Sequence, residues 1–351
     1  MKNRLDRSSL TQLTLMRVRE FAREPEAVFW TFFFPVVMAL ALGVAFRNRG
    51  PAPVSVGVVA SGVAALPDSV VAAMEAAPAL RVRRLLAGEA ERELARGDVA
   101  LVVLAEGSGY TYRYDRAREE SRLARLLADD VLQREAGRVD PLRVRERPVE
   151  ERGSRYIDFL IPGLIGLNLL STGLWGVGYT VVRLRSGQLL KRFMATPMRR
   201  TEFLLSFVLG RLVFLGLELA VLLGFAWLAF DVASRGSLLA VLVICVLGAF
   251  SFTAFGLLVS SRARTTEAVS GLMNLAAVPM WILSGVFFSA DNFPDAMQPF
   301  IQALPLTAFL NALRAVMLEG QALSGTGAWL ALVIGWGVAT GAAALAIFRW
   351  R

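Results

Sequence analysis

The chain has 351 residues, is 55% hydrophobic with a mean hydropathy of +0.53, and carries a formal net charge of +9. It has no histidine and a single cysteine, Cys245, which excludes imidazole metal ligation, histidine acid–base catalysis and an intramolecular disulfide. Its only lysines, Lys2 and Lys191, are followed by Asn3 and Arg192, so no Walker-type phosphate loop, which needs Lys followed by Ser or Thr, is present. Several uncharged runs reach the roughly 20 residues that cross a bilayer, and the basic residues gather between them, so the positive charge marks topology and not nucleic acid.

Leu5 to Glu24 sets Leu10, Leu13, Leu15, Val18 and Phe21 among Arg7, Arg17, Arg19 and Arg23, the pattern of a basic amphipathic helix lying in the inner membrane interface. A solvated arm is the alternative. Ala27 to Phe46 is free of charge and reads as the first span; a cleaved signal peptide is disfavoured because its apolar core exceeds the usual ~7–15 residues. Arg47 to Arg155 changes character, alternating short apolar strands (Val54–Val59, Val99–Leu104, Tyr110–Tyr114) with helical, arginine- and acid-rich stretches, as a soluble α/β domain does.

The remaining spans are predicted at Tyr156–Val182, Phe203–Phe230, Leu238–Val259, Val269–Phe288 and Trp329–Phe348. Arginine and lysine concentrate before the first span, between Val182 and Phe203, at Arg262 and Arg264, and at Arg349 and Arg351, whereas the short opposite loops hold only Arg235 and Arg314. That asymmetry places both termini and the 183–202 loop in the cytoplasm and the α/β domain outside it. Between Ser289 and Gly325, Pro294, Pro299 and Pro305 break an apolar pattern too short to cross twice, which predicts a re-entrant helical pair over 290–325; a surface hairpin is the alternative.

The expected fold is a polytopic α-helical membrane protein: an amphipathic interface helix (1–26), a first transmembrane helix (27–46), an extracytoplasmic α/β domain (47–155), five further transmembrane helices (156–348) and a short cytoplasmic C-terminus (349–351). Glu218, in the middle of the third span, costs roughly 2.5–3.5 kcal/mol on insertion scales unless paired or hydrated. It is the leading candidate for a translocation-pathway residue facing a cationic or hydroxyl-rich substrate, with Arg211, two turns earlier, as a possible partner. Asn168, Asn274, Gln302 and Asn311 are candidates for the same path, although single amides also serve helix packing. Asp158 and Arg314 are a candidate external gate pair, and Gly163, Gly166, Gly173, Gly176 and Gly178 permit close helix approach or a dimer seam. No residue set suggests a catalytic site or a metal site.

The stretch Gln188-Leu189-Leu190-Lys191-Arg192-Phe193-Met194-Ala195-Thr196-Pro197, followed by Glu202, Leu204 and Leu205, resembles the loop of type-2 ATP-binding-cassette (ABC) transporter permeases. Those often read Gly-Thr-Leu-Lys-Arg-Leu-Arg-Ala-Thr-Pro before an acid and a Leu pair. Arg23-Glu24-Pro25 ahead of Phe34-Pro35 is similar to the same family, as are Leu283-Ser284-Gly285-Val286-Phe287-Phe288 with Pro294, Gln298, Pro305-Leu306-Thr307 and Ala312-Leu313-Arg314. One departure is that Gly187 stands a position early, with Gln188 where the family glycine falls.

The resemblance implies a permease subunit in the bacterial plasma membrane that dimerises with itself or a similar chain, contacts membrane lipids, and binds a separate cytoplasmic ATPase. That partner would use ATP and Mg, while this chain binds no cofactor. It also implies a coupling helix in which Leu189, Leu190 and Phe193 form an apolar docking face, Lys191, Arg192, Arg199 and Arg200 meet acidic groups or head groups, and Thr196 and Pro197 re-aim the chain. The large domain between the first two spans looks like that of the drug-exporter branch, which exports an amphipathic compound or lipid. The reading from another class is a membrane sensor or scaffold with an external ligand-binding domain.

Overall fold

The computed structural model describes residues 9–46, 53–107, 109–139, 142, 155–190, 195 and 199–348. The chain divides into two compact units, Asn48–Val149 and the remainder. In the larger unit α1 (Ser9–Ala22) leads into α2 (Pro25–Ala45), which contains a π-turn at Phe29–Phe33. The smaller unit runs β1 (Val54–Val59), α3 (Asp68–Ala76), β2 (Leu80–Leu85), α4 (Ala87–Arg96), β3 (Leu101–Glu106), β4 (Gly109–Tyr114) and α5 (Glu119–Glu135). The larger unit then continues with α6 (Tyr156–Ser186, π-turn at Thr172–Gly176), α7 (Arg200–Phe230), α8 (Leu238–Ser260) and α9 (Thr266–Leu283). It ends with α10 (Gln298–Gln302), α11 (Pro305–Met317) and α12 (Gly327–Ile347).

In the α/β unit the strand order is β2-β1-β3-β4, with β1 parallel to both β2 and β3 and β4 antiparallel to β3. The period-2 alternation of strands sends Val56, Val58, Leu101 and Val103 to a core closed by Val70, Val71 and Met74 of α3 and Ala124, Ala128 and Leu132 of α5. Val59, Leu85 and Val102 pack instead with Ala90 of α4. Helices on both faces explain why β1 and β3 read as continuous apolar runs. Tyr112 donates to Asp129 at 2.9 Å, and burial together with that carboxylate raises the phenol above its usual range.

Among the described residues six helices are long and apolar enough to cross a membrane: Pro25–Ala45, Tyr156–Ser186, Arg200–Phe230, Leu238–Ser260, Thr266–Leu283 and Leu323–Ile347. The helix of the second span runs past the predicted end at Val182 to Ser186, because arginine ends an apolar run without ending a helix. The fifth span stops at Leu283, short of the predicted Phe288, because Gly285 turns the chain with φ +82°. The proline-rich segment forms two helical pieces, Asp295–Gln302 and Pro305–Met317, bent by 87°. Trp336 donates to Ala303 O, in the break, at 2.9 Å, and in the turn after the fifth span Tyr156 donates to Phe287 O at 3.0 Å and Arg314 to Gly285 O.

The second span is the most enclosed of the six, with 78% of its apolar window buried. Its glycines make that possible within one chain. A Cβ on Gly163 would lie 2.2 Å from Val286 O, one on Gly173 2.8 Å from the Phe252 backbone, and one on Gly256 of α8 2.1 Å from Gly173 O. Gly176 has open space around it. Gly256→Ala is therefore expected to destabilise the protein by about 1–3 kcal/mol through overpacking, while Gly176→Ala leaves stability unchanged or raises it by up to about 1 kcal/mol. Thermal unfolding of the two variants in detergent checks the contrast.

Candidate functional site

The loop between α6 and α7 is held by a frame of polar contacts at its ends. Arg183, near the end of α6, pairs with Glu20 at 2.9 Å and Glu24 at 2.8 Å, which ties that helix to α1 and to the start of α2. On the other side Glu202 caps α7 by accepting the Arg199 N–H at 2.9 Å, and its second partner, the Ser9 hydroxyl of α1, donates at 2.7 Å. Arg185 donates to Ser260 O at 3.1 Å, to Ser261 O at 2.9 Å and to Ala263 O, joining the end of α6 to the α8–α9 turn. Gln188 adopts φ +55° at the place where the resembling family carries glycine, so the left-handed turn is kept at a cost of about 1–2 kcal/mol.

This frame corrects one expectation. Leu190 is 2% exposed and packs with Leu13, Leu184, Phe203, Leu204 and Phe207, so it anchors the loop to the bundle and is not part of an exposed docking face; Leu189 is 38% exposed. Arg199 and Arg200 are exposed. Lys191, Arg192, Phe193, Thr196 and Pro197 lie outside the described residues. The amphipathic helix also does more than lie in an interface: Leu13 and Arg17 are buried, and Arg17 lies over the rings of Phe207 (4.1 Å) and Phe203 (5.4 Å) of α7.

A second constellation joins three spans at their middles. Pro35 has no N–H, so Thr31 O lacks the i+4 donor of a regular α-helix, and the local π-winding gives the Phe34 N–H to Phe29 O. Asn168 of α6 supplies one, donating through Nδ2 to Thr31 O at 2.9 Å, and the same amide donates to Glu218 of α7. Glu218, 3% exposed, is ion-paired with Arg211 one heptad earlier, Nη2 to Oε2 2.6 Å. The partner suggested by the sequence spacing is the partner found.

Beside this chain of contacts lies a half-open cavity of about 1170 Å³ bounded by α1, α2, α6, α7 and α9. Trp30, Phe34, Met38, Trp175, Phe214 and Trp281 line it, with Trp175 and Trp281 stacked at 5.4 Å and 24°. Asn168, Arg211 and Arg17 reach it, whereas Glu218 is not among its walls. The other predicted pathway residues lie elsewhere. Asn274 is on an exposed face of α9, and Asn311 donates to Gln302 at 3.2 Å.

The expected gate pair is redistributed as well. Asp158 is buried and pairs with Arg155 at 2.9 Å, while Arg314 sits 3.7 Å from the Phe159 ring and donates to Gly285 O. The Asp158 contact holds Arg155 above its usual range, and Arg155 also donates to Phe230 O at 2.9 Å, closing the start of α6 onto the end of α7. Sequence reasoning passed over Thr31, Glu20, Glu24 and the tryptophans; only Pro35, an imino acid inside an apolar run, signalled that a carbonyl needed a partner. Among the described residues no cluster of His, Cys, Asp and Glu is placed to hold a metal ion.

A polar-stitched bundle of six apolar helices with an inserted α/β unit defines a multi-pass membrane protein of the permease type. Comparison with known proteins makes the class specific: the family model of the ABC-2 family transporter proteins matches residues 26–348, and the chain belongs to that family. It is similar to ABC transporter G family member 20 of Dictyostelium discoideum, 30% identical over 52% of this chain and 25% of that protein. It is also similar to the probable multidrug ABC transporter permease YbhS of Escherichia coli (30% identity; 46% of this chain, 44% of the relative). Nodulation protein J of Bradyrhizobium diazoefficiens is 26% identical over 48% of this chain and 64% of its own length. The matched region thus spans a quarter to two thirds of these relatives. Permeases of this family work with a cytoplasmic ABC ATPase subunit.

Arg211→Met would leave Glu218 as an isolated buried carboxylate and is expected to cost about 3–5 kcal/mol, whereas replacing both residues by Met restores more than half of the loss. Denaturant unfolding of the single and double variants measures the difference.

Proposed function

We propose that the chain is the membrane subunit of an ABC exporter, driven by a separate ATPase, and that it moves an amphipathic compound, drug-like or lipid. The observation that carries this reading is the braced loop between α6 and α7. Its two ends are fixed to α1 and the start of α2 by Arg183–Glu20, Arg183–Glu24 and Ser9–Glu202, and its root by buried Leu190. A contact made on such a loop passes displacement to the spans because packed helices shift as bodies and do not yield locally. The apolar, half-open cavity beside the same helices supplies a place for a cargo.

The arginines flanking the loop and at both chain ends support a cytoplasmic loop with cytoplasmic termini in a bacterial inner membrane, and an α/β unit on the other side. The names of the multidrug permease relatives support export of drug-like molecules. In this reading Phe193 and Leu189 meet the ATPase, Lys191, Arg192, Arg199 and Arg200 meet its acidic groups or anionic lipid, and Thr196-Pro197 sets the angle of the elbow. The 87° break before the last span is a re-entrant pair closing the outer end. Two copies, or this chain with a similar one, complete the transporter.

The test is reconstitution. The full chain is co-purified with its P-loop partner, and ATP-driven export is measured in proteoliposomes for wild type, Phe193→Ala and Pro197→Ala. Export is expected to fall by at least about tenfold in each variant, which corresponds to about 1.4 kcal/mol of lost coupling. Absence of nucleotide-dependent flux in the wild type would instead favour a sensor or scaffold.

A further inference from the structure

Among the described residues, the side-chain amides of the spans and of the broken pair are engaged within the chain, with one exception. Asn168 donates to Thr31 O and to Glu218, Asn311 donates to Gln302, and Gln298 donates to the Ala290 and Phe293 carbonyls. Asn274 stands at the middle of the 18-residue helix α9, is exposed, and hydrogen-bonds to no described residue. The hydroxyl one turn earlier is already used: Ser270 donates to Thr266 O at 2.6 Å and pairs with the Tyr179 hydroxyl at 2.9 Å.

The surface around this amide is apolar. Only 22% of the apolar window of α9 is buried, and Leu275 (74% exposed), Val278 and Ile282 continue its outer face. Lipid chains cover such side chains as well as protein does, but they offer nothing to an amide, whose donors and acceptor are costly to leave unmade in hydrocarbon. Whatever covers this face therefore brings a polar group to one point of an apolar stripe. An amide is its own complement: about a two-fold axis the Nδ2 of one copy donates to the Oδ1 of the other and the reverse, and in an interface of that symmetry a residue on the axis meets itself. Gly271, one turn before Asn274, is exposed and has open space where a Cβ would lie, so a second helix can approach closely there.

We propose that this face of α9 receives a second copy of the chain, α9 beside α9 in parallel, with Asn274 paired to its counterpart and Gly271, Val278 and Ile282 as the flanking contacts. The inference rests on the reading above that paired chains complete the transporter, and it names the surface and the residue that sets the register. A single amide in an apolar seam does so because every other alignment leaves it unpaired. It also moves Asn274 from the transport path, where the sequence placed it, to the seam. Trp281, seven residues on and so on the same side of the helix, lines the tryptophan-rich cavity, as does Thr266, which puts the contact at that cavity's rim.

The experiment uses the full chain in phosphatidylcholine proteoliposomes and has two readouts, oxidative cross-linking and the monomer–dimer balance of fluorescently tagged protein on dilution with lipid. The native Cys245 is fully buried and stays silent in the first. Asn274→Cys is expected to give at least about tenfold more covalent dimer than Leu272→Cys, on the far side of the exposed face of α9, or Val338→Cys, exposed on α12. Asn274→Leu is expected to raise the protein mole fraction at half-dimerisation by about three- to tenfold, with Asn274→Gln, which keeps the amide, within about twofold of wild type.

Cross-linking no greater at position 274 than at 272 or 338, or an Asn274→Leu chain that dimerises as the wild type does, overturns the proposal. A wild-type chain that stays monomeric at every dilution overturns the second copy as the occupant of this face. The substituted positions are exposed and leave no hole in the core; should one variant fail to fold, the wild-type dilution series and the other variants still decide. ATP-driven export is not read here, so a chain that exports with its ATPase yet shows no dimer dependent on Asn274 refutes this seam and keeps the permease reading, while a dimer through Asn274 without nucleotide-driven flux does the reverse.

Discussion

Pro35 has no N–H, so the i+4 donor that the Thr31 carbonyl would have in a regular helix is missing and is replaced from another part of the protein. The answer comes from Asn168 on the second span, whose amide is shared with Glu218 on the third, whose charge is in turn neutralised by Arg211. Each group in the sequence would be costly alone at membrane depth, and each is made tolerable by the next. The result is a line of polar contacts that gives the first three spans one register.

The same three spans carry the loop and the cavity. There α1 is fastened to α6 through Glu20–Arg183, to α7 through Ser9 and through Arg17 over the Phe207 ring, and the loop root is buried at Leu190. Beside the polar line, the tryptophan-lined cavity opens against Asn168 and Arg211. A displacement imposed on the loop therefore has few soft joints through which to dissipate before it reaches the cavity wall. Two π-turns lie at the Thr31–Asn168 contact, Phe29–Phe33, which contains Thr31, and Thr172–Gly176, one turn beyond Asn168.

Much of this was legible in the residues. Apolar runs, four of them free of charge, located all six spans, and Arg211 was readable from spacing as a possible partner of Glu218, since a buried carboxylate needs a cation within reach. The departure at Gln188 was visible as a displaced glycine, and Gln188 itself takes up a left-handed φ. Strand β2 was missed because LRVRRL places three arginines on an edge strand, where solvent on one side masks the alternation that marks β1 and β3.

Other features were not legible because they depend on distant partners. Leu190 looked like a docking residue since nothing local says that Leu13 and Phe203 will cover it. Asp158 and Arg314 looked like a pair since both carry charge near the same boundary, yet the adjacent Arg155 and the open carbonyl at Gly285 lie nearer to each. Family membership over 26–348 fixes the kind of machine.

The direct test of the central claim is a double-mutant cycle between Pro35 and Asn168, read by denaturant unfolding of the full chain. Pro35→Ala returns an N–H to the Thr31 carbonyl, so Asn168→Leu should cost less in that background than in the wild type, with a coupling of about 0.6–1 kcal/mol. Strictly additive losses would mean that Asn168 is not answering Pro35, and the shared register of the first three spans would need another cause.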